Sequence, residues 1–267
     1  MEKKWFVALL MVVVMMCACW TGAVADEERK TFTSGDYQYA LLDDGTVEIA
    51  GYKGSADLLA IPAELDGKAV TSIGDCAFYL CSSLTSVSIP DSVEQIGTNP
   101  FAACFELKTI SVSPEHPYFA TIDGVLFRKA DKALISYPAS ISSSTYTIPQ
   151  GITSIGDSAF FYCDSLTSVS IPDSITSIGD SAFFWCSSLT SVSIPDSVTS
   201  IGDSAFSYCD SLTSVSIPDS VTSIGDYAFG DCSNLTLTVP RNSYAAEYAK
   251  TNNIPYTYPD ANDWLNN

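Results

Sequence analysis

Histidine and basic residues are scarce in this 267-residue sequence, and their scarcity excludes several classes of function. His116 is the only histidine, so any histidine-dependent catalytic triad would rest on that one residue. The 12 Lys and Arg residues face 31 Asp and Glu residues, which gives a net charge of −19. A surface this acidic repels phosphate groups and anionic lipids. We therefore expect no binding to nucleic acid.

The short motifs of catalysis and metal binding are also missing. The sequence contains no G-x-S-x-G, no H-E-x-x-H and no C-x2-C pair. His116 stands between two prolines on a long loop, where we expect an exposed histidine without a role. Only a pair of carboxylates could support hydrolysis. We expect no enzyme, no cofactor and no metal site.

An apolar run is present only near the N-terminus. Lys3 and Lys4 precede the apolar run from Trp5 to Trp20. The small residues Ala23 and Ala25 follow this run, just before Asp26. A charged start, a short apolar centre and small residues at the end are typical of a secretory signal, and the run is too short to span a bilayer. We predict that residues 1–25 are a signal peptide, that the chain is secreted or lies on the cell surface, and that no stable membrane insertion follows its removal. The alternative is a lipid anchor on Cys19.

A 23-residue unit repeats along the chain. The stretch 188–210 reads SLTSVSIPDSVTSIGDSAFSYCD, and 211–233 repeats it almost unchanged. From Ile148 to Ile217 an Ile-Pro pair recurs every 23 residues. A fixed period of this size predicts a solenoid in which each unit buries its apolar face against its neighbours.

The pattern within one unit predicts a coil of three short segments. Val192 and Ile194 alternate with serines, which indicates a strand with one buried face, and Pro195 ends it. A second extended segment follows, and after Gly202 a single helical turn brings Phe206 inward. Neighbouring coils should pair as parallel strands. The expected fold is mostly β, with parallel sheets and short helical turns.

Departures from the period predict caps and an insertion. We assign residues 26–60 to an N-terminal β-hairpin cap, 61–240 to the solenoid and 241–267 to a C-terminal cap with a helix from about Ser243 to Lys250. The step from Ile89 to Ile148 is longer than two periods, and residues 113–145 read as a β-hairpin inserted into the stack. We expect the solenoid to continue through it.

Four stretches together resemble the BspA-like leucine-rich repeat family. They are the repeat LTSVSIPDSVTSIGDSAFSYCDS, the interruption IDGVLF…ALISYP, the opening DYQYALLDDGTVEIAGY and the ending VPRNSYAAEYAKTNNIPYTY. The resemblance covers nearly all of residues 34–258. It implies a right-handed solenoid of the leucine-rich-repeat type and a secreted or cell-surface protein that adheres to a host or microbial surface protein or glycan. It implies no particular binding residues.

Cysteine and aspartate recur as columns. Six cysteines occupy the same place in the unit, and we interpret them as buried thiols that fill one slot in each coil: Cys81, Cys104, Cys163, Cys186, Cys209 and Cys232. Four aspartates directly follow an Ile-Pro pair: Asp91, Asp173, Asp196 and Asp219. Five others directly follow the glycine of the unit: Asp75, Asp157, Asp180, Asp203 and Asp226. We interpret these as turn and helix-capping residues. The alternative is that cations such as Ca²⁺ bind the stacked carboxylates.

Two surfaces are candidates for ligand binding. The first is an aromatic ridge, which we define as Phe161, Tyr162, Phe184, Trp185 and Tyr208; these either lean outward for recognition or wedge between coils. The second is the outward face of the predicted strands, a hydroxyl ladder of Ser86, Ser88, Ser168, Ser170, Ser191, Ser193, Ser214 and Ser216. We expect a binding module that recognises a protein or glycan through its repeat surface. The alternative is a structural, self-associating surface or spacer protein.

Overall fold

A computed structural model describes residues 30–259. The predicted signal peptide lies outside the described residues. The described chain forms short strands and one helix, α1 (Tyr244–Thr251). The strands are β1 (Thr31–Ser34), β2 (Tyr37–Leu41), β3 (Val47–Tyr52), β4 (Leu58–Ala60), β5 (Glu64–Leu65), β6 (Lys68–Ile73), β7 (Ser86–Ser88), β8 (Gln95–Ile96), β9 (Thr109–Ser111), β10 (Phe119–Ile122), β11 (Val125–Arg128), β12 (Ala133–Ser136), β13 (Thr145–Thr147), β14 (Ser154–Ile155), β15 (Ser168–Ser170), β16 (Ser177–Ile178), β17 (Ser191–Ser193), β18 (Ser200–Ile201), β19 (Ser214–Ser216), β20 (Ser223–Ile224), β21 (Thr236–Thr238) and β22 (Tyr256–Thr257).

The strands stack as a solenoid of about nine turns with about 23 residues in each turn. In the C-terminal half, one parallel sheet runs β13-β15-β17-β19-β21-β22, and a second runs β12-β14-β16-β18-β20. In the N-terminal half, the parallel strands β4-β7-β9 hold the place in their coils that the first sheet holds in the C-terminal half. The parallel strands β3-β6-β8 hold the place of the second sheet. The predicted fold class is confirmed. Each coil contributes one strand to each sheet, so equivalent residues of successive coils lie side by side.

Between the two strands of each coil, the predicted helical turn is a run of tight turns. In one coil the Phe184 amide donates to the Ser181 carbonyl at 3.0 Å, and the Cys186 amide donates to the Phe183 carbonyl at 3.2 Å. The alternate amides bond the next coil instead: the Phe183 amide donates to the Ala205 carbonyl at 2.7 Å, and the Trp185 amide donates to the Ser207 carbonyl at 2.9 Å. These alternating bonds satisfy the backbone within and between coils.

A column of phenylalanine rings fills the interior on the turn side. Phe160, Phe183, Phe206 and Phe229 stack nearly parallel, with successive ring centroids 4.7, 5.0 and 5.2 Å apart. All four are buried. The 23-residue period sets this column, because it places the same ring at the same point of every coil.

Both ends of the solenoid are covered. At the N-terminal end β1, β2 and β3 form an antiparallel sheet, and β3 pairs in parallel with β6 of the first coil. At the C-terminal end the Ser243 hydroxyl accepts from the Ala246 amide and so caps α1. Ala245, Ala246 and Ala249 of this helix pack on the last coil, and β22 pairs with β21.

The insertion forms a three-stranded antiparallel sheet of β10, β11 and β12. The strands that flank the turn at 129–132 were predicted from the sequence, whereas β10 was not. Along β11, Val125 and Phe127 pack into the C-terminal core, while Leu126 between them packs into the N-terminal core. A strand buried on both faces separates two regions of core.

The parallel ladders do not run unbroken past this insertion. The N-terminal ladders end at β8 and β9, and the C-terminal ladders begin with β12 and β13. The solenoid therefore continues on both sides of the insertion as expected, but the antiparallel strands β10–β12 interrupt its parallel ladders. Asn99, 3 % exposed, bridges the interruption on the turn side: its Nδ2 donates to the Ser158 carbonyl at 2.6 Å.

Candidate ligand-binding surface

The five residues of the aromatic ridge lie in two rows. Phe161 and Phe184 are 5 % and 4 % exposed and stack at 5.4 Å with a 2° angle between their rings. Of the two alternatives, these two residues take the second: they wedge between coils. Tyr162, Trp185 and Tyr208 form an outer, half-buried row with centroid distances of 5.1 and 5.2 Å. Their role in binding stays a prediction.

The backbone of the outer row has an uncommon conformation. The φ angles of Tyr162, Trp185 and Tyr208 are 61°, 62° and 59°, in the left-handed region that bulky residues rarely adopt. The equivalent residues of other coils, Leu80 and Asp231, have φ angles of 59° and 57°. The coil geometry therefore imposes this conformation whichever residue stands there.

Phe105 extends the outer row and was not predicted from the sequence. Its ring lies 4.8 Å from that of Tyr162 in an edge-to-face arrangement, and 39 % of the residue is exposed. The signal was present: Phe105 directly follows the column cysteine Cys104, at a place that holds serine or aspartate in the other coils. We define Phe105, Tyr162, Trp185 and Tyr208 as the outer aromatic row.

A groove of about 450 Å³ opens beside Phe105 and Tyr162, where the chain leaves the insertion. We call it the seam groove. Its other lining residues are mixed in character: Lys108, Ala139, Ser140, Ile141, Ser142, Asp164 and Ser165. Burial raises the pKa of the Asp164 carboxyl, while the Ser187 hydroxyl, which donates to it at 3.0 Å, opposes that rise.

Burial also affects the far end of the outer aromatic row. It raises the pKa of Tyr208 to about 12, and the nearby carboxylate of Asp231 adds to this effect. The phenol therefore stays neutral at physiological pH. At this end, the outer row presents a neutral ring beside the carboxylate of Asp231.

The predicted hydroxyl ladder exists and faces solvent. Ser191 pairs in register with Ser168 on one side and Ser214 on the other, and Thr236 continues the row. The inward residues Val192 and Val215 are buried, so the serines between them point outward. Parallel strands space these hydroxyls at about 4.8 Å.

Comparison with known proteins identifies the family to which the chain belongs. The sequence profile described as "BspA type Leucine rich repeat region" matches residues 63–143 and 135–250, with six copies of the repeat. The chain belongs to the BspA-type leucine-rich repeat family. No curated protein sequence matches it.

Solved structures resemble this BspA-type chain. A leucine-rich repeat protein from Eubacterium ventriosum has a TM-score of 0.57 and 20 % identity, over 79 % of this chain and 78 % of its own. A leucine rich cell surface protein from Faecalibacterium prausnitzii has a TM-score of 0.47 and 23 % identity, over 84 % and 98 %. The T. pallidum leucine rich repeat protein has a TM-score of 0.42 and 27 % identity, over 87 % and 99 %. The first of these supports the fold.

Aspartates that follow the glycine of the BspA-type unit join neighbouring coils. Asp157 Oδ1 accepts from the Asp180 amide at 2.9 Å, and Asp180 and Asp203 repeat the bond at 2.8 and 2.7 Å. The expectation that they cap a helical turn of their own coil is wrong, because each oxygen points along the stack. No cluster of three or more potential ligands that could hold a metal is present in residues 30–259.

The column of six cysteines is confirmed as free thiols. Five are buried and Cys232 is half-buried. Each of the five from Cys104 onward lies beside a carbonyl of the preceding coil, as where the Cys186 thiol donates to Phe160 at 3.1 Å. Burial raises the pKa of Cys232 to about 12. Cys76 lies outside the column.

His116 is buried, and the expectation of an exposed loop histidine is wrong. Its Nδ1 accepts from the amides of Tyr118 and Phe119 at 3.2 and 3.3 Å, and its Nε2 lies 3.2 Å from the Pro90 carbonyl. This pattern fits the neutral ring with the proton on Nε2. Burial lowers the pKa of His116. The ring holds its loop together and presents no nitrogen to solvent.

Proposed function

We propose that this protein is a secreted or cell-surface binding module that recognises a protein or glycan through its repeat surface, and that it is not an enzyme. The observation that supports this most is the outer aromatic row, which lies half-exposed along the stack and leads into the seam groove. Aromatic side chains supply large contact area at low entropic cost and are enriched in recognition sites.

Export is part of the proposal. Its support is the signal segment predicted over residues 1–25 and the membership of a family of bacterial surface proteins. Within residues 30–259 no helix is long and apolar enough to cross a membrane. The net charge of −19 argues against phosphate-rich partners such as nucleic acids.

A binding panel tests the proposal. The exported protein is immobilised and exposed to purified matrix proteins, to microbial surface proteins and to a glycan array. We expect saturable binding to at least one protein or glycan. Silence across the whole panel would argue against a binding module.

A structural, self-associating role is the second candidate. The observation that favours it is the outer edge of β1, which pairs only with β2 among the described strands. A strand edge can pair with a second copy of the chain. Analytical ultracentrifugation separates the two functions, because assembly that grows with protein concentration and needs no foreign ligand would favour the structural role.

A further inference from the structure

We propose that the outer aromatic row and the seam groove form one site that binds a short, neutral oligosaccharide. The inference rests on the proposed binding function and names its ligand and place. Four features support it: the orientation of the rings, their presence at a position where the fold does not require rings, the polar groups of the groove and its charge.

The rings open progressively toward the groove. Trp185 and Tyr208 are inclined by 28°, Tyr162 and Trp185 by 47°, and Phe105 and Tyr162 by 63°. Near Tyr208 the rings therefore cover each other's faces. Within residues 30–259 no ring stacks parallel on Phe105 or Tyr162, and Phe105 is 39 % exposed. Exposed ring surface is what the C–H faces of a sugar pack against.

The fold does not require rings at the outer-row position. Tyr162, Trp185 and Tyr208 occupy it at positive φ in three successive coils. The same coil position is filled by Leu80, Ala103 and Asp231 elsewhere, also at positive φ, so the coil folds without a ring there. Three successive rings at a position that accepts other residues are therefore available for recognition.

The groove supplies the polar half of a sugar site. Ser140, Ser142 and Ser165 bring hydroxyls, Lys108 brings a donor, and Asp164 brings an acceptor. Ala139 and Ile141 contribute apolar wall. Ligand sites combine apolar walls with a few convergent polar groups that fix orientation. A sugar offers the same combination, with apolar faces and a rim of hydroxyls.

Charge favours a neutral ligand. The single cation and single anion of the groove, Lys108 and Asp164, offset each other. The rest of the molecule carries a net charge of −19, which repels acidic sugars and attracts basic peptides without regard to this site. The affinity of a charged ligand would depend on the charge of the whole protein, whereas the affinity of a neutral ligand would depend on the contacts of the groove.

Calorimetric titration tests the site with short neutral oligomers of glucose, mannose and N-acetylglucosamine, and with oligogalacturonate as an acidic probe. We expect one or more of the neutral oligomers to bind and the acidic probe to stay silent. Changing Trp185→Ser or Tyr162→Ser should weaken binding by at least about tenfold, the loss expected at an aromatic anchor. Trp185→Phe should restore most of it.

Leu80→Ser is the matched control, because Leu80 has the same place in its coil and the same positive φ but lies outside the outer row. It should leave affinity within about twofold of the wild type. Circular dichroism confirms that every variant folds; serine already adopts positive φ at Ser181 and Ser204.

The possible results distinguish the oligosaccharide site from the more general binding function. Saccharide binding that is equal in the wild type and in Trp185→Ser overturns the site. Binding of a matrix protein without any neutral saccharide overturns the oligosaccharide and leaves the binding module standing. Preference for the acidic probe overturns the charge argument. Silence toward both proteins and glycans overturns both proposals.

Discussion

Replacing Asn99 by alanine should weaken the connection between the coils before and after the insertion. The variant loses the 2.6 Å bond from Asn99 Nδ2 and leaves the Ser158 carbonyl without that partner. It also loses the weaker 3.3 Å bond from the Phe101 amide to Asn99 Oδ1. Because the site is buried, we expect the free energy of unfolding to fall by about 1–3 kcal/mol. For a chain of this size, about 2 kcal/mol corresponds to a fall of about 4–8 °C in Tm.

Asn234→Ala provides the control. Asn234 Nδ2 also donates to a carbonyl of a neighbouring coil, that of Asp210, at 3.1 Å, but at an exposed position. Water can replace this bond, so we expect a loss within about 0.5 kcal/mol. Urea unfolding followed by circular dichroism measures both variants. Equal losses for Asn99→Ala and Asn234→Ala would refute the reasoning that a buried bond joins the two halves.

Three further predictions concern pH, thiol reactivity and the aspartate ladder. Burial lowers the pKa of His116 below the 6.5 of a free histidine, so the unfolded chain takes up a proton first as the pH falls. The free energy of unfolding should therefore decrease as the pH falls below about 6.5. In urea titrations at a series of pH values, His116→Gln should remove this decrease. On alkylation followed by mass spectrometry, Cys81 should react before Cys163, because the neighbouring Cys104 thiol lowers the pKa of Cys81 whereas burial raises that of Cys163; the reverse order would contradict this. Burial raises the pKa of Asp180, so its ionised form costs stability at neutral pH. Asp180→Asn, which keeps an acceptor for the Asp203 amide, should unfold at the same or a higher urea concentration, and Asp180→Ala should lose about 1 kcal/mol. Equal losses in the two Asp180 variants would argue against the hydrogen bond.

The periodic part of the fold could be predicted from the sequence because the period itself determines it. A residue that recurs every 23 positions lies at the same point of every coil, so the columns through Phe183 and Cys186 follow without knowledge of any long-range contact. The positions of Val192 and Ser191 follow from the alternation within the strand. Each of these inferences uses only local pattern and stacking.

The errors fall where a contact joins segments that the period does not relate. His116 was expected in solvent because its own neighbours in sequence are prolines, and its burial depends on Pro90, 26 residues earlier. Phe161 is a different case: it lies one period before Phe184, so the period predicts their stacking but not whether the stack faces inward or outward. The seam groove has no periodic signal, since it arises where the exit of the insertion meets the coil that contains Phe105.

The hydrogen bonds between coils restrict where a ligand can bind. The Asp180 carboxylate and the Cys186 thiol each bond the backbone of a neighbouring coil, and the Thr190 hydroxyl does the same at 3.1 Å. A ligand that took these groups would have to break the bonds that hold the stack together, at a cost of about 0.5–1.5 kcal/mol each. Groups outside this network include the outward serines of the strands and the rings of the outer aromatic row. The serine rows repeat in register and offer nearly the same contacts at each coil, whereas the seam, where the repeat breaks, offers contacts that would fix a ligand in one place.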